Sequence, residues 1–268
     1  MIRGGACAVA LALLVPLAAW ALPPVSRYPA EGDCPPIFLF SNGFGGSEKA
    51  YRPLASATAA AGFETWVIGH PQSGPAAFRA VRAEADPNRA IWETILDPGF
   101  NQAHLDAIGA VLDHALSLRD CAPPLVVLGG YSIGAQMAMV EAGAATRFGT
   151  AGEDRFDAYV AISPPGLGPQ FPEDSWAGID KPVLVVTGSH DGAPYAAWKY
   201  RLAAFEGLPA TGRSLFLYID GATHMQLSAS TRDPAGITAA RAAAGFLAAL
   251  GAGTDYDDIP ENTEVWRR

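Results

Sequence analysis

Six short apolar runs separated by helical stretches constrain this chain more than any other feature. Ile37–Phe40, Thr65–Ile68, Leu125–Leu128, Ala158–Ile162, Val183–Val186 and Ser214–Ile219 are rich in Val, Ile, Leu and aromatics. Each is closed by Gly, Pro, Ser or Asp, so each reads as a strand. Near-continuous apolarity suits strands buried on both faces, as in a parallel sheet. Helices are expected at Lys49–Ala61, Gln102–Leu118, Ile133–Phe148, Ala193–Phe205 and Pro234–Leu250. The last has Asp233 as a cap, Pro234 at its first position and Gly251 after its end. The alternation predicts an α/β fold, doubly wound, with a mostly parallel sheet of about six strands flanked by helices.

Composition agrees with one folded domain. Half of the 268 residues are hydrophobic and 17% are charged, which excludes a disordered chain. Three cysteines are too few for a disulfide scaffold. An excess of 27 acidic over 18 basic residues argues against nucleic acid as a partner. Residues 1–21 read as a signal peptide, with Arg3, an apolar run from Ala6 to Trp20 interrupted by Pro16, and the small residues Ala19 and Ala21. The run falls short of the ~20 residues that span a bilayer. The expected organisation is therefore a signal at 1–21, a single domain at 22–250 and a polar acidic tail at 251–268, in a secreted or periplasmic protein. Export would make Cys34 and Cys121 a disulfide pair, because each precedes a strand-like run. Parallel neighbouring strands lie ~4.8 Å apart, within bridging reach.

Gly130-Tyr131-Ser132-Ile133-Gly134 stands between a strand and a helix. This is the setting a nucleophile elbow requires, a sharp turn that lifts the serine hydroxyl above a helix N-terminus. Bulk at either glycine should collide with the neighbouring strand and helix. A serine hydroxyl needs a base, and the base needs an orienting carboxylate. Asp191 follows the run Val183–Gly188, and His224 follows Leu215–Ile219 and Asp220-Gly-Ala-Thr. All three would then fall at carboxyl ends of parallel strands, where open α/β sheets build their sites. Asp180 precedes its strand and lies on the wrong edge, and Asp220 is close to His224 in sequence. The oxyanion donors are expected to be the N–H of Ile133 and, from Ser41-Asn-Gly-Phe-Gly-Gly-Ser47, the N–H of Phe44.

Gly130–Gly134, Asp191, His224 and Asn42-Gly-Phe-Gly-Gly together resemble the α/β-hydrolase superfamily, over about residues 35–250. Ser41-Asn-Gly-Phe-Gly-Gly, Ser163-Pro-Pro-Gly and Asp174-Ser-Trp with Pro182-Val-Leu-Val-Val-Thr-Gly are similar to the predicted dienelactone-hydrolase and platelet-activating-factor-acetylhydrolase-like group. Three departures stand out. Asn42-Gly replaces a common His-Gly, Tyr131 replaces a frequent His, and the nucleophile is serine rather than the cysteine of true dienelactone hydrolases. Two antiparallel strands often open this fold, and residues 22–34 hardly have room for both, so a reduced sheet is expected.

The reading implies a serine esterase working by acyl transfer, with a small-molecule or lipid-like ester as substrate. An acyltransferase or thioesterase would use the same triad, and a non-catalytic binding protein on this fold is the third possibility. No cofactor fingerprint or metal-ligand spacing is visible, so no cofactor and no metal are expected. Tyr131, Phe171 and Trp176 are tentative pocket walls, with Phe44. The connection from 70 to 101, too long to be idle, is a candidate lid. The sequence does not indicate an oligomeric state.

Overall fold

The computed structural model describes residues 22–193, 196–228 and 233–268. The expected signal segment lies outside them. Eight strands build one mixed sheet: β1 (Val25–Tyr28), β2 (Ile37–Ser41), β3 (Glu64–Ile68), β4 (Val126–Tyr131), β5 (Ala158–Ile162), β6 (Val183–His190), β7 (Leu215–Thr223) and β8 (Thr263–Arg267). Their spatial order is β1-β3-β2-β4-β5-β6-β7-β8. The six apolar runs read from the sequence are β2 to β7, all parallel. An antiparallel strand closes each edge.

The expected six-stranded sheet is thus corrected to eight, and the physical reason is the same at both edges. An edge strand covers only part of one face and keeps its polar residues, so it lacks the continuous apolarity that marks the centre. In β1, Arg27 reaches across to the Glu64 carboxylate with both Nε and Nη2 at 3.0 Å. In β8, Thr-Glu-Val-Trp-Arg looks like polar tail, yet Trp266 packs on Phe216 at 5.1 Å between ring centroids. Val265 packs on the opposite face. Part of the segment expected as a tail therefore completes the sheet.

Helices cover both faces. In β2, Ile37 and Leu39 point into one core with residues of α4 (Pro98–Ser117), α5 (Ile133–Glu141) and α6 (Lys199–Glu206). Phe38 and Phe40 point into the other, with α1 (Arg52–Ala60) and α7 (Pro234–Ala252). Period-2 alternation in the strands divides the apolar residues between the two layers. Over its length α7 is apolar enough to cross a bilayer, but its Ala239, Ala240, Ala243, Phe246 and Leu247 stripe is packed in the core. Asp233 caps its start by accepting from the Ala235 N–H at 3.0 Å, and Gly253 ends it in the left-handed region. The helix expected to reach Phe148 stops at Glu141, because Gly143 turns the chain at φ 106°.

Two features position the functional edge. The chain runs from β2 outward to β3 and then returns to β4 on the other side of β2. This is a topological switch point, and it opens a crevice at the carboxyl ends of β2 and β4. At the opposite ends of the same pair, Cys34 and Cys121 form a disulfide with Cα atoms 6.3 Å apart, as the neighbouring strand starts predicted. The long 70–101 connection is not a loop. It folds into a 3-10 turn (Pro71–Ser73), then α2 (Pro75–Arg82) and α3 (Pro87–Leu96), neither of which buries a residue fully.

Candidate active site

Ser132 ends the sharp turn from β4 into α5, with φ 55° and ψ −114°. A non-glycine residue there is strained by about 1–3 kcal/mol, which the surrounding packing must hold. The two flanking glycines permit it. A Cβ on Gly134 would lie 2.0 Å from the Ser41 carbonyl oxygen of β2, and one on Gly130 2.2 Å from the Gly134 backbone. Strand and helix approach so closely that no side chain fits between them.

The strands that carry the other two residues run on past the sheet's regular register. Between Gly188 and His190 the β6–β7 ladder shifts, and His190 then pairs with Thr223. Asp191 and His224 are the next residues on each strand, so they emerge side by side. His224 Nδ1 lies 2.8 Å from Asp191 Oδ1, and its Nε2 lies 3.1 Å from Ser132 Oγ. Asp180 and Asp220 take no part: the Asp180 carbonyl accepts from Arg213, and the Asp220 N–H donates to the Asn262 carbonyl at 3.4 Å. Asp191 is fully buried, whereas the His224 side chain keeps one-third of its surface exposed, toward a cavity.

Asp191 is held by more than histidine. Ser163 Oγ donates to Oδ1 at 2.9 Å, Thr187 Oγ1 donates to Oδ2 at 2.9 Å, and Arg201 Nη2 meets Oδ1 at 3.0 Å. Ser163 Oγ is also 2.6 Å from His224 Nδ1. Because that hydroxyl gives its proton to Asp191, its lone pair faces the Nδ1–H. This places the imidazole proton on Nδ1 and leaves Nε2 as an acceptor for Ser132. Ser163 adopts φ 55°, a second strained position at the carboxyl end of a strand. The sequence offered a signal for Ser163, since it ends β5 as Ser132 ends β4. For Arg201, inside a helix with no local pattern, it offered none.

Tyr131 is buried beside the imidazole, ring centroids 5.1 Å apart, and its hydroxyl donates to the His224 carbonyl at 2.7 Å. Burial raises its pKa far above the usual phenol value, so it is a neutral donor that fixes the His224 loop. It was expected as a pocket wall and instead packs beneath the base. Phe171 and Trp176 also depart from expectation. They stack on each other at 5.2 Å inside the core and do not line the cavity. Large aromatic rings gain more from burying their area in the core than from facing a wet cleft. Of the four expected walls Phe44 does line the cavity, and it is joined by Ile133, Pro165 and, from α3, Ile91, Trp92 and Ile95. The cavity measures about 230 Å³ and opens onto Ser132 and His224.

Phe44 and Ile133 both border this cavity. In the loop after β2, the Gly43 N–H donates to Tyr51 Oη at 2.9 Å, the Gly45 N–H to the Ser73 carbonyl at 2.7 Å and the Gly46 N–H to the Gly43 carbonyl at 2.9 Å. Among the described residues no backbone carbonyl takes the N–H of Phe44 or of Ile133. Neither N–H is committed to a backbone acceptor, and both residues line the cavity that Ser132 lines.

A buried histidine pair supports that loop. His70 and His104 stack at 4.3 Å; Ser41 Oγ lies 2.8 Å from His70 Nε2 and Ser73 Oγ 3.0 Å from His104 Nε2. His104 Nδ1 is 2.9 Å from the Phe100 carbonyl, so Nδ1 carries the proton and Nε2 accepts from Ser73. Burial lowers the pKa of His104 to about 4, and burial, then the His104 charge, holds that of His70 well below the usual imidazole value. Folding therefore favours the neutral rings. Their contribution is fully present above the unfolded value near pH 6.5 and is lost as pH falls from there toward 4. At ~1.4 kcal/mol per unit, His104 alone accounts for roughly 3 kcal/mol across that window. The melting temperature should drop steeply between pH 6.5 and 4, and His104→Gln should flatten that drop. An unchanged slope in the variant would assign the acid sensitivity to other groups.

No protein-family model matches the chain, and no curated protein matches it. The arrangement of its own residues is what bears on function: a serine on a strained turn, hydrogen-bonded to an imidazole whose far nitrogen faces a buried carboxylate, beside a small apolar cavity.

Proposed function

We propose that this chain is a serine hydrolase of α/β-hydrolase type that cleaves carboxylic esters through an acyl-enzyme. The observation that carries the reading is the contact chain Ser132 Oγ–His224 Nε2 and His224 Nδ1–Asp191 Oδ1, at 3.1 and 2.8 Å. In the first step His224 takes the Ser132 proton as Oγ attacks the ester carbonyl. The N–H groups of Phe44 and Ile133 receive the oxyanion, next to the positive end of α5. His224 then protonates the leaving alcohol. In the second step it deprotonates water, which attacks the acyl-enzyme and restores Ser132. Asp191 holds the imidazole tautomer and balances its transient charge.

Apolar walls and a volume of about 230 Å³ suit a compact hydrocarbon acyl group, or an aryl one. α3 forms one wall while burying none of its own residues fully, so the α2–α3 segment is proposed as the lid. The disulfide favours an oxidising compartment, in keeping with a secreted or periplasmic enzyme.

The test is a panel of p-nitrophenyl esters graded by acyl length, run beside labelling with a serine-reactive fluorophosphonate. Turnover of short chains, falling as the acyl group outgrows the cavity, and a single label on Ser132 are expected. A folded protein that neither hydrolyses any ester nor takes the label would overturn the reading. Transfer to added alcohols in place of water would instead mark an acyltransferase.

A further inference from the structure

We infer that Arg201 is a positioning residue of the triad, a buried guanidinium clamp that locks the Asp191 carboxylate and draws the ends of β5 and β6 together around His224. The inference rests on the hydrolase reading. Arg201 lies on α6, ten residues after Asp191, and is only 4% exposed. Its Nε donates to the Asp191 carbonyl at 2.8 Å. Nη1 donates to the carbonyls of Ser163 at 2.9 Å and Pro164 at 2.7 Å, and Nη2 meets Asp191 Oδ1 at 3.0 Å. Four of its five N–H groups are thus committed to protein oxygens.

Those commitments separate two roles that an arginine beside a catalytic cavity can play. A guanidinium that anchors a substrate carboxylate presents its forked donors outward. Here they are spent on the protein itself. A buried cation is costly unless it is paired and hydrogen-bonded, and the carboxylate beside it is the triad acid. With Arg201 and Ser163 on Oδ1 and Thr187 on Oδ2, Asp191 cannot rotate. An acid held in this way fixes the ring of His224, and so the direction of Nε2 toward Ser132.

The clamp also carries charge close to the base. Arg201 Nη2 is 3.2 Å from His224 Nδ1. Both atoms bear protons, so this is an abutment of donors that opposes the imidazolium. The groups facing that ring are the Asp191 carboxylate, the Arg201 guanidinium, the hydroxyls of Ser163 and Ser132 and the neutral Tyr131 ring. Arg201 is the one cation among them. Removing it should make the imidazolium easier to form and move the acid limb of activity to higher pH.

The experiment compares wild type, Arg201→Met, Arg201→Lys and Ser132→Ala on one ester, recording kcat, KM, the pH profile of kcat/KM and thermal unfolding. Small misplacements at a reacting centre cost on the order of 10²-fold. Arg201→Met is expected to lose about that in kcat with KM within threefold, and its acid limb should move to higher pH. Arg201→Lys, which keeps the charge but not the fork, should recover about tenfold of the loss and restore the limb. Wild-type kcat in the methionine variant would overturn the inference. So would a raised KM at unchanged kcat, the signature of a substrate anchor, or a loss with an unmoved limb and no recovery by lysine. If the methionine variant fails to fold, the lysine variant decides: at least a tenfold fall in kcat at unchanged KM supports the clamp, and wild-type kcat refutes it. Turnover near the wild-type rate in Ser132→Ala would instead remove the hydrolase reading and leave the clamp without a reaction to serve.

Discussion

Replacing Ser132 with alanine should lower kcat about 10⁶-fold, and His224→Ala should cost about as much. The double variant should then be scarcely worse than either single one. The physical reason is that Oγ and Nε2, 3.1 Å apart, act as a unit. Without the base the hydroxyl keeps its proton, and without the hydroxyl the base has nothing to activate except water. Some residual rate over uncatalysed hydrolysis should persist in each, because the Phe44 and Ile133 N–H groups and the cavity are untouched. Both positions are cheap to mutate structurally. Alanine at 132 removes one atom and keeps the turn, although it retains the strain at φ 55°. Steady-state kinetics with an active-site titration measures the effect. Losses that multiply across the double variant would mean that serine and histidine work separately, which the proposed mechanism does not allow.

Asp191→Asn is the second large effect, expected near 10⁴-fold in kcat. Its cause here has a local twist. The oxygen at the Oδ1 position faces Arg201, which can only donate, so the carboxamide should turn its oxygen to Oδ1 and its NH₂ toward Thr187. The Nδ1–H tautomer of His224 would then survive, and the loss would come from the missing negative charge. Arg201 would be left buried and uncompensated beside an imidazolium that must form in the transition state. Breaking a buried ion pair on one side also costs roughly 3–5 kcal/mol of stability. The variant should therefore melt well below wild type while the melting of Ser132→Ala stays near wild type. An Asp191→Asn protein with full stability would argue that the Arg201 pair contributes little to the fold.

How far the sequence could be read follows from what each element owes to its own residues. β2 to β7 were legible because a strand buried on both faces must be apolar throughout. β1 and β8 were not, because Val25–Tyr28 and Thr263–Arg267 are completed by neighbours: Glu64 for Arg27, Phe216 and Tyr218 for Trp266. The 70–101 connection read as a long loop because its prolines look like breakers. Pro75, Pro87 and Pro98 instead occupy helix starts, where a missing N–H costs nothing. Phe171 and Trp176 were misplaced because an aromatic on a catalytic-edge loop gives no sign of which way it faces.

For the site, the sequence by itself determined the three residues at strand ends and the two glycines that let β2 and α5 meet. Their constraint is local: a turn of that sharpness accepts glycine alone at those contacts, and a strand end places its next residue at the sheet edge. Only the tertiary structure decided what surrounds them. Arg201 comes from α6, Ser163 from the end of β5, and the cavity wall from α3, none of which is near Ser132, Asp191 and His224 along the chain in any patterned way. A buried charge is tolerated solely where its partners converge, and convergence is a property of the folded chain.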